Sequence, residues 1–498
     1  MSKFDVNELI AKLEQEQEPE YLLNMTGEPF IKIKKSNKTY KVSSRDFELF
    51  LLNFIGLSDT STRKMDLCRS LKAEIEAKCK ISENIQNVYT RGAYYNSNTV
   101  IQLSNDLYCS IRKENVELKN NSDLFFWRPA KMLDMPSPIF RDDFDIFNEF
   151  KKLIRTPNEK DYLLVIAFVL KALVQDNTSM PILVIQGEQG SGKTTLTKII
   201  KKILDNSSPL IVSAPKSEKE LHIIANTSFV LAFDNLSGIS NEMSDAFSRL
   251  STGAGSSSRK LYSDDDEISF EIVKPMIFNG IDDITSRPDF LERTVIIRLS
   301  KIQNDLRVSE SEINNIFEKN YPTFIGSLYT LLSKILKELP KIRNNNLPRM
   351  TEYIRFGMAL CKVLGYEDEY FIQCYEENAQ MRNDDVFYDD PICISIDRLI
   401  ERYSYLYGSS SDIMSKIIEE LSLNKQDGFS RQNFYLKNPH SFSNYIRRIS
   451  PILNSRGIKC DRKRDSTQRS LLFYKDGKNI DLDNLKGIRS INQSIGPL

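Results

Sequence analysis

This chain contains few histidines and few cysteines. It has 498 residues but only two histidines and seven cysteines, and none of the cysteines forms a C-x-x-C pair. A zinc site is therefore not expected, because structural zinc needs several such ligands at close spacing. An odd number of scattered thiols also argues against a disulfide framework and suits a reducing cytoplasm.

Long apolar runs are also missing. The N-terminus, MSKFDVNELIAKLEQEQ, is charged and lacks the apolar segment of a signal peptide. The most apolar stretch, residues 162–174, is too short to span a bilayer and contains Lys171. We expect this stretch to form a buried helix, and we expect no membrane partner.

Neither sign of charge is in excess, because the chain has 68 basic and 68 acidic side chains. Its overall charge therefore indicates no anionic partner, and only local patches can do so. Apolar residues make up 40% of the chain, which is enough to bury ordinary cores. The length allows about three domains.

The sequence predicts three regions and a tail. Residues 1–150 mix helical and strand-like stretches, which predicts an N-terminal α+β domain whose role is not readable from its residues. Residues 151–375 alternate apolar strands with helices, and this α/β pattern predicts a parallel sheet covered by helices. Residues 390–480 contain three helices followed by a basic hairpin, the order of a winged helix, and residues 481–498 form a weakly structured tail. The strands of the parallel sheet are expected at residues 181–186, 228–233, 274–278 and 294–299.

A glycine-rich loop follows the first of these strands. It fits the pattern G-x-x-x-x-G-K-[ST] at every position, with a helix expected next. Glycines let the backbone wrap phosphates, and the helix N-terminus attracts the anion. The pattern predicts ATP and Mg²⁺, with Lys193 on the β- and γ-phosphates and Thr194 on the metal; the alternative is a chance match in a turn. The residues expected to hold the nucleotide are Gly187, Glu188, Gln189, Gly190, Ser191, Gly192, Lys193, Thr194 and Thr195.

Two polar side chains follow the other strands. Asp234 comes after SFVLAF, where a carboxylate can hold the water shell of magnesium, unless it is an ordinary polar strand end. Asn235, at the next position, leaves the catalytic base open, so that either Asp234 serves both roles or another carboxylate does. Asn279 ends KPMIFN and can sense the γ-phosphate or orient the attacking water, or it is a turn residue in Asn279-Gly280.

Three arginines are candidates for contact with phosphate. Arg287 and Arg293 flank a short helix before the last strand, where an arginine can reach the nucleotide of a neighbouring subunit. The alternative is a surface salt bridge with Asp289 or Glu292, and Arg293 is the stronger candidate. Arg349 begins another helix and is either a lid contact to the γ-phosphate or a solvated side chain.

Two segments are candidates for contact with nucleic acid. A hairpin with an acidic tip is expected around Arg259, Lys260 and Tyr262, which can grip a phosphate backbone and stack on a base. Residues 431–475 contain eleven basic and two acidic side chains, a net charge of +9. Such a patch is typical of a nucleic-acid module, although it also suits a protein-binding winged helix. The DNA-binding candidates in this patch are Arg447, Arg448, Arg462, Lys463, Arg464 and Arg469.

The chain resembles the hexameric replicative helicases of phages and bacterial mobile genetic elements. The resemblance spans about residues 150–480, includes LPRMTEYIRFG, and depends on four segments in a fixed order: GEQGSGKTT, FVLAFDNLS, STGAGSSSRKLYSDDDE and KPMIFNGIDDITSRPDFLERTVIIRL. These helicases are AAA+ proteins close to superfamily 3 and to the minichromosome-maintenance helicases, and the initiator helicases of staphylococcal pathogenicity islands are the nearest group.

The resemblance implies a P-loop AAA+ core in a ring, with ATP at subunit interfaces and single-stranded DNA in the central pore. It implies that residues 187–194 are Walker A, Asp234 is Walker B and Asn279 is sensor 1. Arg293, or Arg287, becomes the arginine finger, and Arg349 is a candidate for sensor 2. The hairpin of Arg259 and Lys260 then faces the pore.

We therefore expect an ATP-dependent replicative DNA helicase of a mobile genetic element, forming a homo-oligomer, with duplex DNA at the winged helix. One alternative is an ATP-switched DNA-binding regulator, in which the nucleotide only sets the oligomeric state. Another is a non-replicative ATPase, such as a packaging or defence factor. Strand displacement on forked DNA distinguishes the helicase from the regulator. DNA binding by the winged helix distinguishes the helicase from the non-replicative ATPase.

Overall fold

The computed structural model describes most of the chain. The described residues are 6–56, 62–153, 158–236, 238–253, 256–259, 267–270, 272–280, 287–301, 308–343, 347–423, 438–464, 469–478 and 485. The chain forms two compact units, the first from residues 1–284 and 293–374 and the second from residues 285–292 and 375–498.

The N-terminal part of the first unit is a mixture of helices and short strands. Its helices are α1 (Val6–Gln17), α2 (Arg45–Phe54), α3 (Thr62–Ile81) and α4 (Ile146–Leu153). Its strands are β1 (Pro19–Asn24), β2 (Pro29–Ile33), β3 (Lys38–Lys41), β4 (Ile85–Gln86), β5 (Val88–Tyr89), β6 (Gly92–Tyr95), β7 (Asn98–Gln102), β8 (Tyr108–Arg112), β9 (Asn115–Lys119) and β10 (Phe125–Phe126).

The remaining elements alternate strands and helices before a helical end. They are α5 (Glu159–Val174), β11 (Ile182–Gly187), α6 (Lys193–Leu204), β12 (Val212–Ser213), α7 (Glu218–Asn226), β13 (Leu231–Asp234), α8 (Asn241–Thr252), β14 (Ser256–Arg259), β15 (Glu267–Phe270), β16 (Met276–Gly280), α9 (Pro288–Leu291), β17 (Thr294–Leu299), α10 (Glu310–Glu338) and α11 (Thr351–Leu364). The C-terminal elements are α12 (Asp368–Asp389), α13 (Pro391–Tyr403), β18 (Tyr405–Ser409), α14 (Ser410–Leu423), α15 (Pro439–Ser455), β19 (Ile458–Arg464) and β20 (Arg469–Lys475).

Besides the pair formed by β5 and β10, two small four-stranded sheets lie in the N-terminal part. The first has the order β3-β2-β1-β4 and packs against α3, and its core includes Ile31, Phe47 and Leu71. The second is an antiparallel sheet of β6, β7, β8 and β9 in chain order. Its strands β6 and β7 contact α5, and β8 and β9 contact α10, so this sheet packs directly on helices of the following region.

The centre of the first unit is a five-stranded parallel sheet with the order β12-β13-β16-β11-β17. The predicted α/β class with a parallel sheet is therefore confirmed. The four predicted strands are all present, because continuous apolar runs favour central strands that are covered on both faces. Phe233, Phe247 and Phe278 meet with ring centroids 4.9–5.7 Å apart and join β13 and β16 to α8.

Helix α5 is the apolar stretch that the sequence predicted to be a buried helix. Its residues 161–174 are all buried, including Lys171, which is 4% exposed. The Lys171 ammonium donates to Asp176 Oδ1 at 2.5 Å and to Thr178 Oγ1 at 2.8 Å, which compensates for its removal from water. Within the described ranges, no helix is both long enough and apolar enough to cross a membrane.

The second unit contains the basic region. Helices α13, α14 and α15 surround Ile396, Ile417 and Phe442, and β18, β20 and β19 form an antiparallel sheet in that order. The three predicted helices and the hairpin are present, and the strands of the hairpin run to Arg464 and from Arg469. Strand β18 was not predicted, although its burial alternates with a period of two residues.

None of the seven cysteines, which all lie within the described ranges, forms a disulfide, and six are buried. The predicted domain boundaries and the winged-helix assignment stay predictions.

Candidate active site

The glycine-rich loop lies at the carboxyl edge of the parallel sheet. Strand β11 ends at Gly187 and runs between β16 and β17, its parallel neighbours. In open parallel sheets, ligands bind outside this edge, where the chain turns into the following helix. Strands β13 and β16 end with Asp234 and with Asn279-Gly280 at the same edge, so the predicted loop, carboxylate and amide lie together.

Glycines are required in the loop by its backbone. The φ angles of Gly187, Gly190 and Gly192 are 153°, 83° and 87°, a region that favours glycine. A Cβ on Gly187 would lie 2.6 Å from the carbonyl oxygen of Leu299 and 2.7 Å from Ser191 Oγ. The strand end and the loop therefore approach each other more closely than any side chain at this position allows.

The start of α6 suits an anion. Its N-cap is Gly192, which provides no side-chain capping bond for the first helical N–H groups. The Lys193 ammonium donates to the carbonyl oxygens of Gly187 and Glu188, the latter at 2.8 Å. Ser191 Oγ is buried and has no hydrogen-bond partner in the described part of the chain. Open N–H groups, an adjacent ammonium and an unsatisfied hydroxyl are the donor set that a phosphate uses.

Thr194 and Asp234 provide two oxygen ligands side by side. The Thr194 hydroxyl lies 3.4 Å from Asp234 Oδ1, although 40 residues separate the two in the chain. Hydroxyl and carboxylate oxygens are ligands that Mg²⁺ accepts, usually together with waters and phosphate oxygens. No cluster of three or more His, Cys, Asp or Glu side chains occurs within the described residues, so a metal here would need such additional ligands.

Asn279 connects the strand ends to α6. It lies inside β16, is 2% exposed, and its Oδ1 accepts the N–H of Asn235 at 2.8 Å. Its Nδ2 donates to Thr197 Oγ1 at 3.2 Å, and that hydroxyl donates to the carbonyl of Lys193. The interpretation of Asn279 as a hairpin turn residue is therefore wrong, because β16 is a central strand with partners on both sides. Asn235 itself is exposed, with a φ of 53°.

Arg293 lies at the opposite edge of the sheet. It precedes β17, and its carbonyl oxygen accepts the N–H of Ile182, the first residue of β11. Since a parallel strand rises ~3.3 Å per residue, β17 separates Arg293 from the loop edge by roughly 17 Å. The structure therefore does not bring Arg293 to the loop of its own chain. Arg287 precedes α9 in the second unit, and Arg349 is exposed before α11.

The predicted DNA-contacting hairpin is present in its backbone. Strands β14 and β15 pair antiparallel, with Ser256 opposite Phe270 and Arg259 opposite Glu267. The Arg259 side chain and the whole of Lys260 and Tyr262 lie outside the described residues, as do the side chains of Arg464 and Arg469.

The basic residues of α15 and β19 share one part of the second unit. Arg447 and Arg448 are exposed on α15, and the Arg448 guanidinium lies 5.5 Å from the centroid of the Tyr445 ring. Arg462 on β19 is exposed and donates to the carbonyl of Ser443, one turn before Arg447. Lys463 follows on the same strand. Helix and strand therefore place their cations next to each other.

One buried charge network was not anticipated from the sequence. Arg91, fully buried with φ 66°, lies 3.5 Å from Asp205 and donates to the carbonyls of Gln102, Leu133 and Asn206. Asp205 ends α6 and also binds Lys201 at 2.5 Å. Burial alone would raise the pKa of Asp205, but the charges of Lys201 and Arg91 and the N–H of Phe229 lower it to about 2.

This network spans 114 positions of the chain, so no local pattern in the sequence could reveal it. It connects the N-terminal sheet, through the residue before β6, to the end of the helix that begins at Lys193.

Comparisons with known proteins agree with the resemblance. Residues 148–365 match the family model of the actinomycete integrative conjugative element replication protein. The resemblance to replication proteins of mobile genetic elements is thereby confirmed over the segment that contains the loop, Asp234 and Asn279. No curated protein matches the chain.

The solved structures that are similar to the chain include the following three. "SCCmec type IV Cch - active helicase" is 14% identical, with 92% of this chain and 93% of that chain covered and a TM-score of 0.44. The apo C-terminal region of NrS-1 is 12% identical, with coverages of 95% and 100% and a TM-score of 0.41. JCV helicase is 14% identical, with coverages of 45% and 71% and a TM-score of 0.22. Since these TM-scores are below 0.5, the roles of individual residues depend on the geometry of this chain.

Proposed function

We propose that this chain is an ATP-dependent replication protein of a mobile genetic element that unwinds DNA as a homo-oligomeric ring, with six subunits as the expected number. The observation that carries the proposal is the 3.4 Å approach of the Thr194 hydroxyl to Asp234 beneath the glycine-rich loop. Together with the replication-protein family match over residues 148–365, it supports a P-loop AAA+ core.

The residues of the loop fit a nucleoside triphosphate with magnesium. We assign the phosphates to the loop N–H groups, to Ser191 Oγ and to Lys193, whose ammonium would leave the carbonyls of Gly187 and Glu188 to bind them. Thr194 and Asp234 would hold the metal, which when bound neutralises charge on the phosphates. Asn279 positions this pair, because it bonds the backbone after Asp234 and, through Thr197, the first turn of α6.

Asp234 is also the base that we assign in the absence of an acidic residue at position 235. Its Oδ1 meets Thr194, which leaves Oδ2 as the proton acceptor. The Asn235 amide is exposed beside it and can orient a water molecule without taking its proton. The ATPase of this chain is therefore expected to depend on a single carboxylate at the strand end.

Two regions would contact DNA. The hairpin that contains Arg259, Lys260 and Tyr262 would follow single-stranded DNA in the pore of the ring. The C-terminal unit would act as a winged helix, with the cations of α15 and β19 on duplex phosphates. The contact between Arg462 and the backbone of α15 supports one continuous basic surface.

The test is ATP hydrolysis and unwinding of forked DNA by the wild type and by Lys193→Ala. We expect the variant to lose roughly 100-fold or more in hydrolysis and to lose unwinding, because a charge that stabilises the transition state is removed. Lys198→Ala is the matched control, since Lys198 lies on the same helix and pairs with Glu310 at the surface. Absence of ATP hydrolysis by the wild type with magnesium and DNA would overturn the proposal, and hydrolysis without unwinding would favour the ATP-switched regulator.

A further inference from the structure

A cleft in the N-terminal part of the chain belongs to none of the sites described above. Its volume is about 500 Å³, and it is lined by residues 37–40, by α2, by the β7–β8 turn and by residues 126–132. A backbone bridge between Thr39 and Trp127 joins two of these segments. The volume is within the range of sites that hold small ligands, roughly 300–1,000 Å³.

Aromatic rings from two distant segments line the cleft. Tyr40 and Phe50 come from β3 and α2, and their centroids lie 5.2 Å apart in a stacked arrangement. Phe126 and Trp127 come from β10 and the residue after it. Tyr40, Phe50 and Trp127 are only partly buried, so aromatic surface remains accessible in the cleft. Aromatic side chains of this kind stack on planar heterocycles.

The polar lining consists mainly of amides and cations. Gln102 is 3% exposed, its Nε2 donates to Tyr108, and its Oε1 has no hydrogen-bond partner in the described part of the chain. Asn37 Nδ2 and Arg128 Nη1 are likewise buried and unsatisfied there. Unsatisfied buried donors and acceptors are costly, and a bound group that pairs with them recovers that cost.

Positive charge accompanies these amides. Two cations, Lys38 and Arg128, and one carboxylate, Asp46, line the cleft. Arg128 also pairs with Asp134 at 2.5 Å. Burial, together with the nearby charge of Arg91, lowers the pKa of Arg128. Since Arg128 already pairs with Asp134, Lys38 is the lining cation that is available to a phosphate.

We propose that this cleft binds a nucleobase with its phosphate, supplied by a single strand of nucleic acid. The proposal depends on the proposed function, since a protein that unwinds DNA generates single strands. Stacking on aromatic rings, amide groups at the base edges and a cation for the phosphate are the three contacts by which unpaired nucleotides are recognised. The unsatisfied acceptor of Gln102 and the unsatisfied donor of Asn37 suit the edge of a base better than they suit an acidic peptide or a lipid.

The chain offers its own reporter, because Trp127 is its single tryptophan. In the absence of ATP, the full-length protein is titrated with oligothymidylate, with an oligonucleotide of the same length whose residues are abasic, and with thymidine monophosphate. We expect oligothymidylate to quench the fluorescence of Trp127 and the abasic strand to leave it unchanged. Quenching by thymidine monophosphate but not by oligothymidylate would overturn the single strand as the source and assign the cleft to a free nucleotide. Absence of quenching by both ligands would overturn the proposal as a whole.

Two variants test the contacts. Tyr40→Leu should lower the affinity for oligothymidylate, measured by the quenching of Trp127, roughly ten-fold, as expected for the loss of one stacked ring. Lys38→Ala should reduce the salt dependence of binding by about 0.7 in logarithmic slope, the value for one phosphate contact to a single strand. Lys35→Ala is the matched control, because Lys35 is exposed on the β2–β3 turn, three residues before Lys38, but does not line the cleft. Equal effects of Lys38→Ala and Lys35→Ala would contradict the proposed phosphate contact.

A photocrosslink does not depend on the folding of any variant. An oligonucleotide with 5-bromodeoxyuridine is irradiated with the wild type, and the modified peptides are identified by mass spectrometry. Adducts on residues 37–53, 102–105 or 126–132, the segments that line the cleft, are expected, and adducts confined to other segments overturn the proposal. ATP hydrolysis by the same preparation separates the two proposals: hydrolysis without quenching or adducts removes the cleft alone, and its absence removes the proposed function.

Discussion

Lys193 shows how a single side chain prepares the site. Its ammonium rests on two carbonyl oxygens of the loop that the phosphates are proposed to occupy. These two hydrogen bonds keep the loop closed around the ammonium, and a nucleotide must replace them when it binds. A phosphate provides stronger, charge-assisted bonds to the same ammonium, so the exchange favours the bound state.

The Thr194 hydroxyl allows the metal assignment to be tested. Thr194→Ala removes the oxygen that lies 3.4 Å from Asp234, so the variant should need more magnesium for half-maximal hydrolysis and should lose roughly 100-fold in rate. Thr194→Ser keeps an oxygen at this position and should retain most of the activity. The measurement is hydrolysis as a function of magnesium concentration, and a serine variant as inactive as alanine would contradict the assignment.

Asp161 predicts how stability changes with pH. Burial raises its pKa to about 6, and the charge of Arg298 opposes this only in part. The folded chain therefore keeps a proton that the unfolded chain releases above about pH 4, and stability falls as pH rises from about 4 to 6. Asp161→Asn should remove this dependence and raise the free energy of unfolding at neutral pH by on the order of 2 kcal/mol.

Urea denaturation across this pH range provides the measurement for Asp161. Asp106→Asn is the control, because Asp106 is exposed. A destabilised Asp161→Asn protein at neutral pH would show that the attraction to Arg298 outweighs the cost of burial.

Among the elements, α15 and β19 form the surface proposed for duplex DNA. Arg447→Ala combined with Arg448→Ala should weaken binding to duplexes of any sequence and lower the logarithmic salt slope by up to about 1.8, two phosphate contacts on B-form DNA. Arg398→Ala on α13 is a control from the same unit. Fluorescence anisotropy at several salt concentrations measures the slope, and an unchanged slope would favour a protein-binding surface.

The elements that sequence could predict were those with strong local signals. Strands β11, β13, β16 and β17 are continuous apolar runs, and α15 begins at Pro439, directly after Asn438, whose side chain accepts the N–H of Ser441. Strands β1 to β4 were not predicted, because β1 to β3 are short and carry lysine or proline in their apolar pattern, and β4 has only two residues. Their positions depend on packing against α3 rather than on local preference.

The candidate site divides in the same way. The loop, Asp234 and Asn279 were placed from strand ends, since parallel strands bring their carboxyl ends to one edge. The hydrogen bond between the side chains of Asn279 and Thr197 joins residues 82 positions apart. Likewise, Gln102 is distant in sequence from the aromatic residues with which it lines the cleft. Such contacts produce no periodic pattern in the sequence, so they cannot be predicted from it.

For the whole molecule, the position of Arg293 predicts cooperation between subunits. Its own loop lies at the far edge of the sheet, so we expect it to act on the nucleotide of a neighbour. Arg293→Ala and Lys193→Ala should each be inactive alone. Mixed in equal amounts, they should recover on the order of a quarter of the wild-type rate, because a quarter of the interfaces then join an intact loop to an intact arginine.

Hydrolysis measured before and after mixing tests this prediction. A mixture of Lys193→Ala with Asp234→Ala is the control, since every subunit then lacks either Lys193 or Asp234 and no interface contains a complete nucleotide site. Failure of the Arg293 mixture to recover activity, with assembly shown by light scattering, would assign Arg293 a role within its own chain.

The Arg91–Asp205 network has a consequence for how such genes exchange parts. A recombination event that brought in a stretch before residue 148 without a cation at position 91 or a matching sheet would deprive Asp205 of one of its two cations and would uncover the faces of α5 and α10 on which β6 to β9 pack. A buried carboxylate left with half its compensation is strongly destabilising. Viable hybrids between related elements should therefore inherit the second small sheet together with the ATP-binding half, and crossovers should fall upstream of Arg91 instead.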